Sequence, residues 1–119
     1  MSYYGKYTNC NPYSIYENIK HNNLDYECVW VDNSRAIPEK NARFASVRFY
    51  FYLRTSRFLV FNARPNFDIR KRSGQFYIQT WHSSLGFKMI EKDVEDTLDK
   101  RYVEKAKKDS EYIDLLISG

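Results

Sequence analysis

Among the side chains able to carry acid–base chemistry in this sequence, His82 is the best placed. It closes the run Gln79-Thr80-Trp81-His82. The preceding residues 75–80 alternate and carry aromatic and β-branched side chains, which predicts a strand. Imidazole has an unperturbed pKa close to neutrality, so a positioned histidine can accept a proton from an alcohol, a poor nucleophile on its own. Open α/β sheets keep their chemistry where a strand hands such a group to a loop at its carboxyl end. A merely structural histidine fits the same residues equally well. The second histidine, His21, falls at a polar helix end, where a charge-compatible cap is the ordinary role. Cys10 and Cys28 have no partnered base near them in sequence, which leaves a thiol nucleophile little support.

Composition bounds the classes open to such a residue. With 119 residues, 43% of them hydrophobic, and only four Gly and three Pro, the chain is one ordered domain or a piece of one. Eleven Tyr and eight Phe suggest thick packing between layers, or stacking surfaces for sugars or bases, with packing the commoner use. A formal net charge of +4 is compatible with an anionic ligand, a nucleic acid or an anionic membrane surface. Interleaved aromatic and basic residues would suit single-stranded nucleic acid. No RNP, KH or helix-turn-helix pattern accompanies them, so no nucleic-acid partner is expected. Of the two basic runs, Arg70-Lys71-Arg72 and residues 105–108, the second lies beside Glu104, Asp109 and Glu111 and reads as a solvated helix face. No signal peptide pattern opens the chain, and no apolar run approaches the ~18–20 residues of a membrane span. Zinc-like ligand spacing is absent. The two cysteines read as free thiols of a reducing compartment.

The elements that must position His82 follow from pattern and punctuation. Asn11-Pro12 predicts a helix start, with Asn as the cap, Ile15, Tyr16 and Ile19 as its apolar side, and Asn22-Asn23 as its end. Residues 26–31 predict a strand, and 32–40 a polar loop. Residues 45–56 alternate like a strand at Val47, Phe49, Phe51 and Leu53, yet Phe44, Val47 and Phe51 keep helical spacing. A strand at 58–61 follows without any turn signal, so the helix is the better assignment. Residues 62–74 predict a loop, 83–93 a loop or short helix, 94–108 an amphipathic helix, and 112–117 a last strand. Helices between short apolar strands predict an α/β fold, Rossmann-like, with a mainly parallel sheet covered on both faces.

The run Gln79-Thr80-Trp81-His82, behind the lead-in Arg70-Lys71-Arg72-Ser73-Gly74-Gln75, resembles the CDP-glycerol glycerophosphotransferase family, the teichoic acid polymerases, which carry Gln-Thr-Trp-His-Gly-Thr there. Asn11-Pro12 with Ile15-Tyr16 resembles that family's Asn-Pro-x-x-Ile-Tyr helix start, and Val29-Trp30-Val31 its Trp-Val strand. Residues 58–62 resemble its strand ending in Asn, and 112–118 its strand followed by Ser. The resemblance covers nearly the whole chain. It implies the partial N-terminal, acceptor-side half of a GT-B-type glycosyltransferase. Residues 1–119 would form a single truncated Rossmann-like domain lacking the C-terminal donor-binding domain.

The implied reaction is attack by a hydroxyl of a polyol-phosphate or glycan acceptor, of teichoic-acid or capsular type, on the β-phosphate of CDP-glycerol or a related CDP-polyol. CMP leaves, no cofactor or metal is needed, and His82 is the general base. The resemblance makes Trp81 a packing or orienting neighbour and Lys88 a cation that offsets phosphate charge, and Asn11 and Asn62 candidates for acceptor hydroxyls. Core packing, a solvated lysine, a helix cap and a turn residue are their ordinary alternatives. Ser83 and Ser84, with Leu85, stand where the family has Gly-Thr-Pro, and Phe87 replaces one of two lysines, leaving Lys88. The altered loop leaves open a different acceptor or polyol, and a non-catalytic module that binds an anionic polymer or nucleic acid is the alternative reading. The resemblance further implies a lipid-linked acceptor and a cytoplasmic, peripheral location at the inner membrane face, assisted by the two basic runs. Each Lys or Arg adds about 1 kcal/mol at an anionic surface.

Overall fold

The computed structural model describes residues 1, 6, 10–33, 40–65, 67, 69–81, 96 and 98–117. Their elements run α1 (Asn11–His21), β1 (Trp30–Val31), β2 (Asn41–Ala42), α2 (Val47–Thr55), β3 (Phe58–Phe61), β4 (Phe76–Gln79), α3 (Lys100–Tyr112) and β5 (Leu115–Leu116). Among these, β1 and β2 form a two-stranded parallel pair, and β3, β4 and β5 a parallel sheet with β4 in the middle. Phe58 stands opposite Phe76 and Phe61 opposite Gln79, while Ile78 stands opposite Leu115. The architecture is therefore mixed α/β with parallel pairing, as the alternation of helices and short apolar strands implies.

The ambiguous segment 45–56 is a helix, and the reason is local. Ser46 is the N-cap of α2: its Oγ accepts the Phe49 N–H at 3.1 Å and its hydroxyl donates to the Arg43 carbonyl at 2.6 Å. The buried stripe differs from the Phe44, Val47, Phe51 spacing. Phe49 is buried with Tyr52 and Leu53 half-buried beside it, whereas Val47 and Phe51 face solvent. Phe49 packs edge-on against Phe67 and tilted against Phe44, with ring centroids 5.5 and 5.1 Å apart, so these aromatics build a core.

Three other boundaries move. Only Trp30 and Val31 of the expected strand 26–31 join a ladder, and their partner β2 carries too little pattern to announce itself. The helix expected over 94–108 starts at Lys100, because the Asp99 carboxylate accepts the Tyr102 N–H at 3.2 Å and fixes the first turn there. It runs on to Tyr112, into the expected last strand, which shortens to β5. The inner face of α3 carries Val103, Ala106 and buried Asp109, with Tyr102 exposed, although the four-residue spacing of Val94, Leu98, Tyr102 and Ala106 puts Tyr102 on the apolar side. Lys105, Lys107 and Lys108 are exposed on its outer side.

The basic triplet serves the fold. Arg72 donates from Nε to the Arg54 carbonyl at 2.7 Å and from its terminal nitrogen to the Thr55 carbonyl at 3.0 Å, satisfying the open carboxyl end of α2. Lys71 Nζ lies 2.6 Å from both Asp114 carboxylate oxygens and 3.0 Å from the Tyr112 carbonyl. Buried Gln75 donates to the Leu53 and Ser56 carbonyls at 2.9 and 2.7 Å. Two of the three cations that the sequence offers to an anionic surface thus lock β4 against α2 and β5. Among the described residues no helix is long and apolar enough to cross a membrane.

Candidate active site at the carboxyl edge of the sheet

β3 and β4 run parallel and in register, so the residues that follow them emerge at one edge. These are Asn62 after Phe61, and Thr80 then Trp81 after Gln79. The Thr80 N–H donates to the Phe61 carbonyl at 2.8 Å, which extends the ladder to that point. Trp81 then departs from extended geometry with φ 50°, in the left-handed region that a side chain with a Cβ seldom adopts. A turn of that kind needs support from its surroundings, and two side chains supply it.

The first is Asn11. Its side-chain Nδ2 donates to the Thr80 carbonyl at 2.9 Å and the Trp81 carbonyl at 3.2 Å, joining the start of α1 to the end of β4. Asn11 is therefore not the cap of α1. That position belongs to Cys10 at φ 81°, with no side-chain cap bond, and Pro12 follows in the first turn. An asparagine amide facing two carbonyls can only present its nitrogen, so the donor assignment follows from chemistry.

The second is Gln79. Its Oε1 accepts the Trp81 N–H at 3.1 Å and its Nε2 donates to the Tyr77 hydroxyl at 3.1 Å. Tyr77 is wholly buried, packs edge-on against Phe61 with centroids 5.4 Å apart, and feels the charge of Asp109 on α3. Asp109 pairs with Arg64 at 3.5 Å. Burial first, then the Asp109 charge, pushes the Tyr77 hydroxyl well above the ordinary phenol range, so it stays protonated. A continuous line of buried polar groups thus runs from α3 to the Trp81 turn.

Three of the residues singled out in the sequence meet at this edge. Asn11 is exposed and bonded to the turn, Trp81 is half-buried at the turn itself, and Asn62 is completely buried beside it. His82, Ser83, Ser84 and Lys88 lie outside the described residues, as does the segment 83–93. His21 is exposed in the last turn of α1, at the opposite end of that helix from Asn11. Cys10 and Cys28 are not joined by a disulfide. Among the described residues no group of three or more His, Cys, Asp or Glu could hold a metal ion.

Sequence reasoning missed the supporting line of Gln79, Tyr77, Asp109 and Arg64. One signal was available: Asp109 sits three residues beyond Ala106, at helical spacing, and so on the inner face of a helix otherwise rich in lysine.

The sequence profile of CDP-glycerol:poly(glycerophosphate) glycerophosphotransferases matches residues 1–119. The teichoic acid poly(glycerol phosphate) polymerase of Bacillus subtilis (strain 168) is 32% identical over 98% of this chain, and that of Bacillus spizizenii (strain ATCC 23059 / NRRL B-14472 / W23) is 30% identical over the same share. The chain spans 17% and 33% of the lengths of these two relatives. Among solved structures, a variant of the wall teichoic acid polymerase TagF superposes on 98% of the chain with a TM-score of 0.85 at 25% identity, and TagF itself with 0.79. In each case the match covers 31% of that structure. The fold is accordingly that of part of a GT-B-type glycosyltransferase. A match along its whole length makes this chain a member of the CDP-glycerol:poly(glycerophosphate) glycerophosphotransferase family.

Proposed function

We propose that this chain is the acceptor-side segment of a CDP-glycerol, or related CDP-polyol, glycerophosphotransferase in which His82 is the general base. A terminal hydroxyl of a polyol-phosphate or glycan acceptor approaches the carboxyl edge of β3 and β4. His82 takes its proton as the oxygen attacks the β-phosphorus of the CDP-polyol. A new P–O bond forms, the bond between the two phosphates breaks, and CMP leaves with the electron pair. Asn11, Asn62, Trp81, Ser83, Ser84 and Lys88 are the residues assigned to the acceptor and its phosphate. Asn62 is buried, so its contact with a hydroxyl requires the edge above it to open. A second lobe of the full protein holds the donor.

The observation that carries this reading is the braced turn at Trp81, one residue ahead of His82, at the end of a parallel sheet where open α/β folds place their ligands. Family membership supplies the reaction class. The lipid-linked acceptor and the inner membrane face belong to the same proposal. There the exposed lysines of α3 are candidate surface contacts, while Lys71 and Arg72 are engaged within the fold.

Replacement of His82 by Ala in the full-length enzyme tests the role. CMP release should fall by ~10²-fold or more, the usual contribution of a positioned base. Turnover within a few-fold of the parent would end the general-base assignment.

A further inference from the structure

We propose that Gln79 is a positioning residue for this reaction: its carboxamide holds the left-handed turn at Trp81, the residue that directly precedes His82 in the chain. The inference rests on the general-base reading of His82 and adds a residue to which that reading gives no role.

The case is geometric. Gln79 is 1% exposed and Tyr77 0%, so neither side chain can be serving solvent. A glutamine amide has an acceptor at one atom and a donor at the other, and both ends are used: the Trp81 N–H comes to Oε1 and the Tyr77 oxygen receives Nε2, each at 3.1 Å. Nε2 can only donate, so at this 3.1 Å contact the Tyr77 oxygen is the acceptor. Glutamine serves both contacts from one side chain. Glutamate would still accept from Trp81 but has no donor for Tyr77, and it would add a second buried carboxylate near Asp109. Methionine fills the space and makes neither bond.

The backbone of Gln79 is fixed independently of the side chain, since its carbonyl accepts the Ile117 N–H at 2.8 Å. The side chain thus acts from a rigid base on a strained neighbour, φ 50° at Trp81, while Asn11 grips the carbonyls of Thr80 and Trp81 from the other side. With Gln79 withdrawn, one of the two clamps is gone and the turn can relax towards extended backbone. A displacement of about 1 Å in a catalytic group is enough to cost ~10²-fold in rate.

The test uses Q79M, Q79E and Y77F in two settings. In this 119-residue chain, amide hydrogen exchange at Trp81 should quicken at least tenfold in Q79M and much less in Q79E, with the amides of β3 and β4 unchanged. In the full-length enzyme, Q79M should lower kcat by ~10–100-fold with KM for the CDP-polyol unchanged. Q79E should restore part of that kcat, and Y77F, which takes away the Gln79 acceptor, should fall between. If Q79M fails to fold, the same comparison between Q79E, Y77F and the parent decides the matter.

Unchanged Trp81 exchange in the folded variants would overturn the proposal, and so would a loosened Trp81 with parental kcat. H82A, assayed in parallel, separates the two ideas. Full activity in H82A removes the base, and the kinetic arm with it, while the exchange arm still reports whether Gln79 holds the turn.

Discussion

Asp114 is a single carboxylate on which two strand junctions depend. Its oxygens receive Lys71 Nζ at 2.6 Å and the Tyr77 N–H at 2.6 Å, and its own N–H donates to the Tyr77 carbonyl at 3.0 Å. The Lys71 ammonium, and after it the Tyr77 amide, hold this carboxyl below the usual aspartate range. The unfolded chain, with its ordinary value near 3.9, therefore takes up this proton first as the solution is acidified. The stabilisation is complete above about pH 3.9 and is lost as pH falls through the lower folded value. D114N should cost about 1 kcal/mol at neutral pH, the upper end for a partly exposed charged pair, and the difference from the parent should shrink as pH drops below about 4. Urea midpoints measured across that range check it, and a gap independent of pH would refute it. At this scale the sequence was informative in part. Asn62 and Trp81 follow predicted strands and Asn11 opens a predicted helix, so their neighbourhoods were legible, although Asn11 lies within α1 and is not its cap. The bonds of Gln79 and Asp114 were not legible, because they depend on which groups from remote segments meet in space.

Helix α2 shows what a cap decides. The segment carries both an alternating and a helical pattern, and the helix wins because Ser46 satisfies the Phe49 amide at its start and Arg72 the Arg54 and Thr55 carbonyls at its end. S46A should destabilise the chain by about 1 kcal/mol, read as a lower urea midpoint with an unchanged denaturant slope. An unaltered midpoint would show that tertiary packing of Phe49 holds the helix without its cap. Strand β3 was legible to the residue, since Phe-Leu-Val-Phe is apolar and bounded on both sides. The inner stripes of α2 and α3 were not, because each helix has apolar residues on more than one side and the partner surface chooses among them. β2 was missed because two residues, Asn41 and Ala42, carry no period at all.

The described residues form two small parallel sheets with helices, and the chain matches 31% of the length of the TagF variant. If the proposed division of labour holds, the two substrates should behave differently towards this chain alone. A short polyol-phosphate acceptor should shift the amides of Asn11, Asn62 and Trp81 and the His82 imidazole in an NMR titration, whereas CDP-glycerol should leave them in place. Shifts with the donor alone would reverse the assignment of the edge. Class and strand direction could be read ahead of the structure, because helices recurring between apolar strands permit few other solutions. The split into two sheets could not, since it turns on the short pair β1 and β2.

Every described strand pairs with a parallel neighbour, and that has a consequence in time. A hairpin can zip as soon as its turn is made, but a parallel pair must wait for its crossover to be complete. Phe58 waits for Phe76, and Ile78 waits for Leu115. During synthesis the far side of β4 therefore emerges with its ladder groups unmet until nearly all of these residues have left the ribosome. Docking of β5 by the Asp114–Lys71 clasp is then a late event in folding, and the interval before it is when this chain is most exposed to aggregation.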